Sequence, residues 1–101
     1  MTGVFLAIDS GSQSTKVSVV DAAGTVCASA RTALRPYDLG PGGRAVHPDD
    51  DLWDTLAVAA REALGSYDGS AGDVVAVGLC GIRFCRALLD EEGRLTEPVL
   101  S

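Results

Sequence analysis

Several whole classes of protein are excluded by what this sequence has little of. Aromatic residues make up only 5% of its 101 residues, and His47 is the single histidine. Three cysteines, Cys27, Cys80 and Cys85, form an odd set with no Cys-x-x-Cys spacing, and His47 lies far from them in sequence. That pattern does not make a zinc site, so the cysteines read as small, half-buried thiols in a reducing compartment, with a redox or metal role as the lesser reading. Basic residues are scarce and scattered: Lys and Arg total 8 against 14 Asp and Glu, a formal net charge of −6. Without a basic patch, nucleic-acid binding loses its main source of affinity. Long apolar runs are missing too. The run Val4–Ile8 falls far short of the ~20 residues of a membrane helix, and no basic segment precedes it as a signal peptide requires. The expectation is a cytoplasmic chain with neither a membrane nor a nucleic acid as partner. No internal repeat or low-complexity segment stands out.

What is present is an apolar fraction of 47%, carried mostly by Ala, Val and Leu, the composition of an α/β protein. A chain of this length buries roughly 60–70% of its unfolded surface, enough for one modest core. Val4 to Asp9 reads as a buried strand, and Ser10-Gly11-Ser12-Gln13 as a tight turn after it. Thr15 to Asp21 alternates Val17 and Val19 with Lys16 and Ser18, and Asp21-Ala22-Ala23-Gly24 supplies a second turn into a third strand, Thr25 to Ala33. The opening third is thus a three-stranded antiparallel meander. Arg35 to His47 reads as loop. Pro48 with Asp49, Asp50 and Asp51 starts a helix running from about Asp49 to Leu64, with Gly65 placed to end it. The three acids are read as helix-start residues rather than a metal cluster, because successive helical residues point in different directions. Trp53 is assigned to the core with Leu56 and Ala60 rather than to a ligand-stacking platform. Ser66 to Gly72 reads as loop. Val74 to Val77, continuously apolar, predicts a strand covered on both faces, the central and parallel one. Arg86 to Asp90, a turn at Asp90–Arg94 and Leu95 to Leu100 predict a final hairpin.

The informative segment is Asp9-Ser10-Gly11-Ser12-Gln13-Ser14-Thr15-Lys16, which sits between two strands and so differs from a strand-to-helix phosphate loop. A hairpin with glycine at its tip can turn N–H groups inward to hold phosphate oxygens, and Ser12 and Ser14 add hydroxyl donors without bulk. Lys16 supplies positive charge. Asp9 can hold magnesium through water, since that ion keeps most of its hydration and takes one or two carboxylates plus phosphate oxygens. A polar turn with a flanking acid also occurs without any ligand, and on these residues alone both readings stand.

Ile8 to Lys16 followed by Asp21-Ala22-Ala23-Gly24 resembles the first phosphate motif of the sugar kinase, Hsp70 and actin superfamily, in its FGGY carbohydrate kinase form. Two further stretches agree in order and spacing. Pro48 to Leu64, with Trp53 and then Ala-Ala-Arg-Glu-Ala-Leu, is similar to the helix these kinases carry after a Gly-rich loop. Val75 to Gly81, then Leu88 to Leu95 and Glu97-Pro98-Val99-Leu100, resembles their central strand, the following hairpin and the lead-in to the catalytic segment. The resemblance implies an α/β fold, the first part of a ribonuclease-H-like (actin-type ATPase) domain, in which 1–101 is the N-terminal part of the first kinase domain and a second domain is absent. It implies ATP-dependent phosphorylation of a sugar or polyol, with ATP and Mg2+ as cofactors. Asp9, Gly11, Ser12, Gln13, Ser14 and Lys16 are then the nucleotide-binding residues, with Asp9 also the metal residue. The family's catalytic Asp lies in a Trp-x-Asp-x-Arg segment beyond Ser101, so the chain alone is expected to be inactive and to require the remainder of the kinase.

Departures from the family pattern bear on the substrate. Many sugar kinases place Gln-Met-His or Gln-Arg-Glu after the glycine at Gly81, where this chain has Ile82, Arg83 and Phe84. Arg83 and Phe84 are therefore the substrate residues the resemblance implies, Arg83 bonding a hydroxyl and Phe84 forming an apolar wall. A solvated arginine at a strand end is the plainer alternative for Arg83. Where the family often has Glu-Gln the chain offers Val46 and His47. His47 is read as a helix cap, with a substrate contact as the lesser reading. Two rivals remain open at this point: an ATP-dependent activator of acyl-CoA dehydratases, which opens with a similar hairpin, and a small binding domain with no catalytic role. Half a layered fold is also expected to leave its sheet uncovered and to self-associate.

Overall fold

The computed structural model describes residues 3–83 and 85–101. Three strands open the chain, β1 (Val4–Ser10), β2 (Ser14–Asp21) and β3 (Val26–Ala33), each antiparallel to the next. The second turn forms as its residues dictate. Gly24 adopts φ 87°, and the Asp21 carboxylate accepts from Ala23 N–H at 3.0 Å and Thr25 N–H at 2.9 Å. After a helix, α1 (Asp51–Ser66), strand β6 (Val74–Cys80) returns to pair parallel with β1, giving the sheet order β3-β2-β1-β6.

Alternation sorts the sheet into two faces. Val4, Leu6 and Ile8 of β1 stand beside Val17 and Val19 of β2, and these pack with Ala59 and Ala63 of α1 into the core. Ala59 and Ala63 are fully buried, and their small side chains let the helix approach Val17 and Val19 closely. A hydroxyl pair ties helix to sheet below this cluster. Thr55 Oγ1 lies 2.8 Å from Asp51 O and 2.9 Å from Thr15 Oγ1, so Thr55 donates to the carbonyl and Thr15 donates to Thr55.

Trp53 does not join this core: it is 67% exposed. The buried stripe is Asp51, Thr55, Ala59 and Ala63, and at 3.6 residues per turn Trp53 lies roughly 120° around the helix from Ala59. Spacing with Leu56 and Ala60 matched a helical period but picked the margin of the stripe. The acids at the helix start also differ from expectation. Asp50 occupies the N-cap position with no side-chain capping bond, while Asp51 is buried and accepts from Arg35 N–H at 2.7 Å and Arg35 Nε at 3.2 Å. Asp51 therefore clamps the chain leaving β3 onto the start of α1. The helix runs past Gly65 to Ser66, ending with Tyr67 N–H donating to Ala63 O at 3.1 Å.

The stretch read as loop between Arg35 and His47 contains two short strands, β4 (Asp38–Leu39) and β5 (Ala45–Val46), paired around a turn in which Gly42 and Gly43 take positive φ. β5 also catches the end of the chain. Ser101 N–H donates to Ala45 O, Val46 bridges Leu100, and Leu100 exchanges two main-chain bonds of 3.0 Å with Arg86. The predicted final hairpin is reduced to isolated bridges, Arg86 with Leu100 and Leu89 with Leu95, around a turn in which Gly93 takes φ 80°.

β6 is parallel, as its apolar run predicts, but it is an edge strand and not a central one. Because α1 packs on β2 and β3, Val75, Val77 and Leu79 remain 54–67% exposed. The other face of the sheet carries no helix, and Phe5 is 40% exposed there. A radius of gyration of 15.4 Å, against ~13 Å for a compact chain of 100 residues, reflects this open layer. Among the described residues no helix is long and apolar enough to cross a membrane.

Candidate functional site

The hairpin between β1 and β2 is held from both sides. Gly11 N–H donates to Ser14 O at 3.0 Å across the turn, and Leu34 N–H donates to Gln13 O at 2.9 Å from the end of β3. A Cβ at Gly11 would stand 2.9 Å from Ser14 O, a main-chain atom that cannot step aside, so the turn requires glycine there. Ser12 and Gln13 are exposed at the tip, and neither amide N–H donates to any described residue. Below the turn, Thr15 points into the core and is fixed by Thr55, which sets Lys16 on the opposite face.

Register then assembles a row of polar and charged side chains on the face that has no helix. Asp9 stands opposite Lys16 on one side and Cys80 on the other, and Lys16 stands opposite Arg31. Lys16 is the only lysine in the sequence. No ion pair within 4.0 Å joins Asp9, Lys16 or Arg31 to any described residue, which leaves one carboxylate and two cations uncommitted. One step down the strands the row is Gly78, Ala7, Ser18 and Ser29, all small. Three of them, Ala7, Ser18 and Gly78, form the floor of a hollow of roughly 500 Å3 also lined by Asp9, Lys16 and Cys80, among others. The sequence marked Asp9, Gly11, Ser12, Gln13, Ser14 and Lys16, and the fold brings all of them together. Arg31 was missed because it is fifteen residues from Lys16 in the chain; the only signal was its phase in a strand paired with β2.

Of the residues read toward the substrate, Arg83 is exposed three positions beyond Cys80, where the chain leaves β6. Since β1 and β6 are parallel, this is the end of the sheet at which β1 enters the hairpin. Phe84 lies outside the described residues. His47 neither caps the helix nor reaches the surface. It is 1% exposed, its N–H donates to Val99 O at 2.9 Å, its ring stands edge-on to Tyr37 with centroids 4.8 Å apart, and Nε2 is 4.0 Å from Cys85 Sγ. Trp53 lines a separate, larger hollow of about 720 Å3 with Asp49, Asp50, Arg94 and Leu95, which includes neither the hairpin nor Arg83. Among the described residues no group of three His, Cys, Asp or Glu is placed to hold a metal.

Burial holds the His47 imidazole below its usual pKa range, outweighing the nearby Asp51 carboxylate, which pulls it upward. The unfolded chain, with an ordinary value near 6.5, binds the proton first. This contribution to stability is therefore complete above about pH 6.5 and is lost as pH falls below that value toward the lower folded-state value. Urea midpoints of the wild type should fall further between about pH 7.5 and 5.5 than those of His47→Gln; parallel curves would contradict the assignment.

The comparisons with known proteins follow the same outline. The model of the FGGY family of carbohydrate kinases, N-terminal domain, matches residues 4–101. The chain is 41% identical over 96 residues to the uncharacterized sugar kinase YgcE of Escherichia coli (strain K12), covering 95% of this chain and 20% of that protein. It is 35% identical over 78 residues to the glycerol kinase of Rhodospirillum centenum, covering 77% and 16%. In shape it is similar to a xyloylose (xylulose) kinase from Brucella ovis, with a TM-score of 0.86 at 20% identity over 96% of this chain and 20% of that one. The chain thus spans about a fifth of the length of the relatives it matches. On the family match from Val4 to Ser101, joined to this hairpin and sheet order, the chain belongs to the FGGY family of carbohydrate kinases and corresponds to its N-terminal domain.

Proposed function

We propose that this chain supplies the phosphate-binding hairpin, and part of the acceptor site, of a cytoplasmic kinase that moves a phosphoryl group from ATP to a hydroxyl of a sugar or polyol. Residues 1–101 then form the first part of the first kinase domain, and the remainder of the kinase completes it. The observation that carries this reading is the row of Asp9, Lys16 and Arg31 beside a hairpin tip with two uncommitted N–H groups, above a floor of small residues. A nucleotide fits that arrangement. Lys16 and the Gly11–Ser14 turn would hold phosphate oxygens, with the Ser12 and Ser14 hydroxyls and Gln13 at its edge. Arg31 adds charge on the flank, and Asp9 would hold magnesium through water. Bound magnesium and ATP supply the phosphoryl group and neutralise charge on it. Arg83 bonds an acceptor hydroxyl, and Phe84 is assigned to the same wall from sequence alone. Sugar and glycerol kinases among the relatives support the acceptor class.

Phosphoryl transfer depends on positioning every part together, so the reading places turnover in the intact enzyme only. Its test is ADP release by that enzyme with Mg·ATP and a panel of polyols and ketoses. Release that depends on one acceptor class and on magnesium is expected; no acceptor raising release above background would overturn the proposal. The isolated 101-residue chain should dimerise or form larger species, because Val75, Val77, Leu79 and Phe5 are uncovered. A monomer in sedimentation with a cooperative high-temperature melt would contradict that.

A further inference from the structure

We propose that His47 is a positioning residue for the acceptor site: it fixes Cys85, and with it the segment carrying Arg83, against the small sheet of β4 and β5. The inference rests on the reading of Arg83 as an acceptor contact. Three segments remote in sequence meet at this histidine. Its main chain bonds Val99 at 2.9 Å, its ring lies against Tyr37 beside β4, and its Nε2 approaches Cys85 Sγ at 4.0 Å. One residue further, Arg86 is bonded twice to Leu100, which bridges Val46 next to His47. Two residues after Arg83 the chain is therefore tied through a side chain, and three residues after it through the main chain, to one corner of the fold.

Stability alone does not account for a polar ring in this place. Nδ1 is buried and has no hydrogen-bond partner among the described residues, and an unmet buried polar atom is destabilising. An apolar side chain of similar size would fill the space without that cost. What imidazole adds is a directional contact to Cys85. With Nε2–H donating to Sγ, Nδ1 is left as a bare lone pair; the other tautomer would strand an N–H donor, the rarer arrangement in buried sites. The contact spans the gap between the sheet corner and the acceptor segment, and no other described side chain bonds Cys85.

The test uses the intact enzyme with the acceptor found in the panel. His47→Ala and Cys85→Ala should each raise the acceptor KM about tenfold while the ATP KM stays within about twofold, and Cys85→Ser, which keeps a donor and acceptor, should restore most of the loss. Should His47→Ala fail to fold, Cys85→Ala, which removes one sulfur atom, carries the test. If acceptor and ATP KM move together, or neither moves, the role is structural and the inference is overturned. Arg83→Ala separates the two levels. An unchanged acceptor KM in Arg83→Ala overturns the acceptor reading and this inference with it, whereas a raised one alongside an unaffected Cys85→Ala overturns the inference alone.

Discussion

Asp9→Asn should lower turnover of the intact enzyme by about two to four orders of magnitude while its melting temperature moves by no more than about 2 °C. The two side chains have the same shape, and Asp9 is exposed at the end of β1 with no ion pair to any described residue, so folding loses little. What disappears is the negative charge. A carboxylate at the mouth of a hollow, facing a lysine across the strand pair without closing a salt bridge, is the group that the proposed function assigns to a hydrated cation near phosphate. Magnesium titrations of the variant should show saturation shifted to higher concentration along with the lower rate. Turnover within a few-fold of wild type at saturating magnesium would remove the central residue of the phosphate-site reading.

The largest effect on stability is expected from Asp51→Ala, about 2 kcal/mol. Asp51 is 5% exposed and its carboxylate takes both a main-chain and a side-chain bond from Arg35. Removing it strands the Arg35 N–H at the junction of β3 with α1. The Arg35 guanidinium, 52% exposed, regains water when its partner is lost, so the ion pair itself contributes little of this figure. Asp51→Asn keeps an acceptor for the N–H and should lose roughly half as much. Thermal denaturation checks both. An Asp51→Ala protein melting within about 1 °C of wild type would show that the clamp is not what joins sheet and helix.

The meander, the helix and the parallel return strand were legible because each rests on local rules: alternation of Val17 and Val19 with Lys16 and Ser18, turn residues at Asp21–Gly24, and apolar residues at helical spacing after Pro48. The hairpin from Asp9 to Lys16 was legible for the same reason, since all of its residues are consecutive. What the sequence hid depends on which elements meet. Val74 to Val77 is apolar enough for a covered strand, yet its cover is decided by where α1 lies. Trp53 has the right period for the core and the wrong phase. Proline and glycine between Arg35 and His47 concealed two short strands, because they pair with each other across the glycine turn and β5 is held further by residues 99–101. His47 followed from that: nothing near it in sequence indicates that Val99, Tyr37 and Cys85 surround it.

The most direct measurement is a calorimetric titration of the intact protein with Mg·ATP, run for wild type, Asp9→Asn and Lys16→Ala. On the proposed reading Lys16 serves phosphate and not the acceptor, so its loss should weaken Mg·ATP binding by about tenfold or more while acceptor binding stays within about twofold. Asp9→Asn should weaken Mg·ATP binding but leave ATP binding without magnesium nearly unchanged. Equal Mg·ATP affinity in all three proteins would contradict the claim that the hairpin from Asp9 to Lys16 holds the phosphates.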